Sequence, residues 1–178
     1  MRRSSSSAFT IRRGRPNCFP PGPSIPYARA HPLPDQIALK LSDRRLGVEA
    51  GTLVHYFRRE GMFQQLRTAR DPQAARAELR YSVERLFADA SLVRVELVTG
   101  LQNQIRAQFS AMGHPVIGDR KYHRAESSEP LIARVALHAA YLQFVHPHSG
   151  ESVSIDCKLP PDFQHLVREL SRSSRARW

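Results

Sequence analysis

Three polar side chains in the stretch Thr99 to Arg106 (TGLQNQIR), namely Asn103, Gln104 and Arg106, are the first candidates for chemistry. They fall at or near a helix start, where free backbone N–H groups and the helix dipole favour an anion, so a phosphate or a carboxylate suits the place. A second loop, Gly118-Asp119-Arg120-Lys121-Tyr122, sets two cations beside an aromatic ring. That combination supports a phosphate and stacks a base. The same residue types also suit a capped helix followed by an ordinary exposed turn, and spacing alone leaves both open.

Other chemistries find less support. The chain has 8 histidines, of which His146 and His148 stand closest around Pro147. Two residues apart in a turn, they are one ligand short of the three that a catalytic zinc site uses, and no metal site is expected. No GxSxG, HExxH, GxxxxGKS or GxGxxG occurs, which removes the common fingerprints of hydrolases, zincins and nucleotide-binding folds. The 2 cysteines, Cys18 and Cys157, form no CxxC pair. A disulfide framework is therefore not expected, and a reducing, cytoplasmic setting fits. No eighteen-residue stretch lacks a charge, so no membrane-spanning helix is expected.

The elements that must position the candidates follow from periodicity. Ser91 to Thr99 (SLVRVELVT) alternates Val93, Val95 and Leu97 with Arg94 and Glu96, and Gly100 ends it, which predicts a strand with one dry face. Ile105, Phe109 and Met112 then fall at i, i+4 and i+7, predicting a helix of about three turns that Gly113 caps and Pro115 stops. Upstream, strands are expected at Thr52 to Phe57, Phe63 to Thr68 and Leu79 to Val83, with Arg58 to Gly61 as a turn. Downstream, Leu137 to Val145 and Ser152 to Cys157 flank a turn-rich HPHSG and form a hairpin. Pro160-Pro161-Asp162 opens a last helix with Phe163, Leu166, Val167 and Leu170 on one face, and SRSSRARW is expected to fray. Six or seven strands and two helices indicate an α+β domain with a mostly antiparallel mixed sheet.

Length and charge divide the chain. Its 178 residues make one domain, and the formal charge is +11. Residues 1–40 carry seven basic and one acidic residue, together with seven of the 13 prolines and the run Ser4 to Ser7. Such a segment is expected to be a disordered basic arm, either touching phosphates or simply solvated, with residues 41–178 as the folded part. The net +5 of that part permits nucleic-acid binding without demanding it.

Several landmarks then occur in a fixed order: TGLQNQIR, Gly113-His114-Pro115, GDRKY, Leu137-His138-Ala139, the His146-Pro147 turn with Ser149-Gly150, and LPPDF from Leu159 to Phe163. Between Ser91 and Leu166 they resemble the C-terminal half of RluA-type pseudouridine synthases, which modify uridines in ribosomal and transfer RNA and whose junction reads like TGRTHQIR. Gly51 to Val83 resembles, more loosely, the segment that precedes this junction. The resemblance implies a partial pseudouridine synthase catalytic domain that isomerises uridine in rRNA or tRNA without cofactor or metal. It makes Arg106 the catalytic arginine that pairs with a nucleophilic Asp, and Asn103, Gln104, Arg120, Lys121 and Tyr122 the RNA contacts.

Departures from the pattern matter as much. The family Asp lies in a motif like HRLDxxTSG, and nothing similar stands between Met1 and Leu97; Asp35 in PLPDQ and Asp43 in LSDRR lack its flanks. The family Tyr motif is missing too, and Leu101-Gln102-Asn103 replaces Arg-x-His. The expectation is a chain with a truncated or altered start, inactive alone, whose central strand has an unpaired edge and whose Arg106 awaits a carboxylate from elsewhere. A non-catalytic RNA-binding remnant is the alternative, and a subunit completed by another chain is a third.

Overall fold

The computed structural model describes residues 9–12, 35–42, 46–122 and 132–175. Eight strands form one sheet: β1 (Phe9–Arg12), β2 (Asp35–Ser42), β3 (Ala50–Glu60), β4 (Phe63–Arg67), β5 (Ala75–Leu86), β6 (Ser91–Leu97), β7 (Leu137–Val145) and β8 (Ser152–Cys157). Their order is β1-β8-β7-β2-β6-β5-β3-β4, and each pairing is antiparallel. Two helices, α1 (Gln104–Ala111) and α2 (Pro161–Arg175), complete the α+β fold.

The dry face of β6 is as its alternation requires. Val93 and Val95 are fully buried and join Leu79 and Tyr81 of β5, Leu53 of β3, and Ile105 and Phe109 of α1. The rings of Tyr81 and Phe109 meet edge-on at 5.7 Å, locking α1 across three strands. A second cluster gathers Phe163 and Leu166 of α2 against Phe87, Val116, Ile132 and Ala136. It ties the C-terminal helix to the β5–β6 loop and to the segments between α1 and β7.

Several elements differ from their expected bounds. α1 has 8 residues, not three turns, because Asn103 takes a left-handed conformation (φ 58°) before it and Gly113 (φ 76°) ends it. Met112 is consequently an exposed cap residue and not part of the apolar face. β3 continues through Arg58 and Arg59, so the turn is Gly61-Met62, with Glu60 opposite Phe63. Arg58 stays in the strand beside Glu60, to which it is ion-paired at 2.7 Å. α2 runs on to Arg175, so the start of SRSSRARW is helical. Its serines bond back, Ser171 Oγ to the Val167 carbonyl and Ser174 Oγ to that of Leu170, and Ser174 Oγ also accepts the Ala88 amide at 2.8 Å.

The segment 1–40, set apart above by composition, contributes β1 and most of β2. In DQIALKLS, Ile37, Leu39 and Leu41 alternate with Gln36, Ala38 and Lys40, a period-two pattern that the segment's average charge conceals. β2 lies between β6 and β7, with Leu39 opposite Arg94 on one side and His138 on the other. The expected open edge at β6 is therefore closed by backbone pairing. Residues 1–8, 13–34, 43–45, 123–131 and 176–178 lie outside the described residues, Asp43 and the whole proline-rich run among them.

Candidate nucleic-acid interface

The strand-to-helix turn is held from within. Thr99 Oγ1 accepts the Glu78 amide at 2.7 Å and donates to Gln104 Oε1 at 2.9 Å. Gln104 Oε1 also accepts the Leu101 amide, and its Nε2 donates to the Glu78 carbonyl. Gln104 is 2% exposed. It therefore holds the turn from inside, where the sequence reading expects an RNA contact: an amide's donors and acceptor match the backbone groups of a tight turn, and burial turns that match inward. Thr99→Val, equal in shape, is expected to lower stability by about 1–3 kcal/mol because the Glu78 N–H loses its acceptor. Denaturant titration measures it.

Arg106 projects from the first turn of α1. Its Nε and one terminal nitrogen (Nη2) reach the two oxygens of Asp119, each at 2.7 Å, while Nη1 donates to Asn103 Oδ1 at 3.0 Å. Asp119 Oδ1 further accepts the amides of Lys121 (2.9 Å) and Tyr122 (3.0 Å). The Asp119 side chain is 0% exposed and that of Arg106 19%. Burial pushes the Asp119 carboxyl up, but the Arg106 fork and the two amides outweigh it and hold the pKa below its ordinary value. Arg106 in turn is held above its usual value, first by the hydrogen bond to Asp119.

The loop then turns onto the β3–β4 hairpin. The Arg106 guanidinium lies 5.3 Å from the Tyr122 ring centroid, Ser110 Oγ donates to the Tyr122 carbonyl, and the Tyr122 hydroxyl accepts the Gln64 amide at 2.9 Å. Of the residues marked in sequence, Asn103, Arg106, Lys121 and Tyr122 thus stand together, and Arg120 is exposed beside them. Two participants escaped sequence reasoning. Asp119 carries no role in the sequence pattern beyond its place in the GDRKY loop, although its G-D setting before the cationic pair is the available signal. Phe63, directly after the Gly61-Met62 turn, carries no signal until the hairpin is seen to meet the loop.

The other candidates stay apart. His146 Nδ1 accepts the amides of His148 and Ser149, a turn-forming role. Among the described residues no group of three or more His, Cys, Asp or Glu is placed to hold a metal, and no helix is long and apolar enough to cross a membrane. A cleft of about 150 Å³ on β5 and β6 is lined by Arg80, Tyr81, Ser82, Arg94 and Glu96 and includes none of the candidates.

Comparison with known proteins bears on this arrangement. The chain is 35% identical over 118 residues to the ribosomal large subunit pseudouridine synthase D of Zymomonas mobilis, covering 63% of this chain and 37% of that protein. Identity to an RNA pseudouridine synthase of Chloroflexus aurantiacus is 40% over 106 residues (60% and 33%), and to the ribosomal large subunit pseudouridine synthase C of Escherichia coli 35% over 100 residues (53% and 31%). Over these stretches the chain is similar to RluA-type pseudouridine synthases. It spans about a third of the length of these curated relatives. Two human structures, RNA pseudouridylate synthase domain containing 4 and domain containing 1, share the fold of this chain. Their TM-scores are 0.60 and 0.63 at 20% and 23% identity, over 77% and 80% of this chain and 62% and 66% of theirs. No protein-family model matches.

One expectation drawn from the RluA-type pattern changes with the geometry. Arg106 does not wait for a carboxylate from outside this sequence: Asp119 of its own chain fills the fork. The physical reason is local. Two amides of the turn after Gly118 converge on Asp119 Oδ1 and aim both carboxylate oxygens at the guanidinium.

Proposed function

We propose that this chain is an RNA-binding member of the RluA-type lineage that does not convert uridine to pseudouridine by itself. The observation that carries the reading is the Arg106–Asp119 pair. The arginine that an RluA-type site would turn toward its nucleophile is engaged, at two 2.7 Å bonds, with a buried carboxylate that already accepts four hydrogen bonds from its own chain. No HRLD-like segment stands in the 178 residues to supply another. The cations that remain, Lys121 and Arg120 with the partly exposed edge of Arg106, suit the phosphates of an RNA; ribosomal RNA is the class named for the curated relatives.

The test is direct. Purified chain is incubated with a large-subunit rRNA fragment, and pseudouridine is measured by mass spectrometry after chemical derivatisation. No product is expected, together with retention of the RNA that falls as salt rises. Conversion at enzyme-like rates, or binding indifferent to salt, overturns the proposal.

A further inference from the structure

Lys121 is seated where an exposed lysine would ordinarily be free. Its Nζ lies 4.7 Å from the centroid of the Phe63 ring and 5.6 Å from that of Tyr122, and it donates to the carbonyl of Met62. The two rings meet edge-on, 6.1 Å apart at 71°. Three groups therefore fix one ammonium at the tip of the β3–β4 hairpin. An ammonium has three N–H donors, so two remain after the bond to Met62.

The seat has no evident structural reason. Phe63 is 47% exposed and Met62 70%, and neither belongs to a buried cluster. An aromatic ring and a methionine at a hairpin tip cost solubility and gain little core. Among the described residues the nearby acids are already engaged, Glu60 by Arg58 and Arg67, and Asp119 by Arg106. The charge of Lys121 is thus left for a ligand, in a side chain ordered before that ligand arrives. Ordering matters because a lysine otherwise loses rotamer entropy when a ligand fixes it.

We propose that Phe63, with the Met62 carbonyl, is a positioning residue that holds the Lys121 ammonium as a contact for one phosphate of an RNA backbone. The proposal rests on the RNA-binding function above and adds the hairpin tip to the interface. Phe63 acts through Lys121: the face of its ring attracts the cation electrostatically, which a leucine of similar apolar bulk does not.

Affinity of the full chain for an rRNA stem-loop, measured across salt concentrations, tests this. Lys121→Ala is expected to weaken binding and lower the slope of log affinity against log salt by about one. Phe63→Leu weakens binding about two- to fivefold, the fold-change equivalent of a surface cation–π contact. Phe63→Tyr retains wild-type affinity, and Phe63→Leu has no further effect in the Lys121→Ala background. Melting temperatures of the exposed-site variants stay unchanged, and the ring-current shift of the Lys121 ε-protons in NMR shrinks in Phe63→Leu to the part that Tyr122 supplies. A silent Phe63→Leu beside a binding wild type removes this proposal alone. A Phe63→Leu loss that persists undiminished without Lys121 also removes it, since the ring would then touch RNA itself. A wild type that holds no RNA removes the functional proposal and this one together.

Discussion

Asp119→Ala is expected to lower stability by about 3 kcal/mol, the lower end of the range for breaking a buried ion pair, because Arg106 keeps partial access to water. The side chain it removes is fully buried and accepts four hydrogen bonds, two from the guanidinium and two from the amides of Lys121 and Tyr122. All four donors lose their partner at once. RNA affinity falls with stability, since the loop that carries Lys121 and Tyr122 is no longer drawn toward α1. Asp119→Asn, which keeps one acceptor oxygen, costs less. The pH dependence separates charge from shape. The folded-state pKa of Asp119 is depressed from its ordinary 3.8, so its contribution is fully present above that value and is lost as pH falls through the folded-state value. Denaturant titrations of wild type and Asp119→Asn at neutral pH and in acid therefore converge as the medium becomes more acidic. A gap between the two that stays constant into strong acid would mean that the charge plays no part.

How far the sequence foretells this structure depends on the range of the contacts involved. β7 and β8 occupy the spans expected of them, Leu137–Val145 and Ser152–Cys157, because alternation and the HPHSG turn are properties of neighbouring residues. The buried faces of β6 and α1 follow for the same reason. Gln104 is different: its residue type suits an anion or a backbone turn equally, and only burial against Glu78, 26 positions away, decides. The Arg106–Asp119 pair spans 13 positions and joins a helix to a loop with no shared period. The seat of Lys121 spans 59, between a hairpin tip and a loop whose meeting depends on the path of the chain between them. β2 is hidden by composition rather than distance, since a proline-rich and basic neighbourhood masks eight residues of alternation. Local pattern thus reveals the scaffold, whereas the chemistry of the interface depends on where the scaffold brings distant loops together.

Gly118→Ala is expected to be more damaging than any other single-methyl addition in the described chain. Gly118 has φ 76°, and a Cβ built there would lie 2.2 Å from the Arg134 carbonyl oxygen and 3.1 Å from Ile132 Cγ2. The left-handed conformation alone costs an L-residue about 1–2 kcal/mol. The overlap adds more, because its partner is backbone and cannot rotate away. Relief requires the 132–136 segment to move, and that segment is tied on every side. Ile132 and Ala136 are buried against Phe163, the Ala136 amide donates to the Ile117 carbonyl at 2.8 Å, and Arg134 grips Asp162 at the start of α2. Moving Gly118 instead displaces Asp119, its chain neighbour, and with it the Arg106 fork and the amides of Lys121 and Tyr122. The expected result is a loss of about 3 kcal/mol or more, the strain and overpacking costs together, with RNA affinity lost in parallel. Gly61→Ala is the control. It also has positive φ, yet nothing lies within 4 Å of its Cβ, so it shows the conformational cost without the clash. Equal destabilisation by the two substitutions would show that the close approach of Gly118 to Arg134 does not constrain the loop.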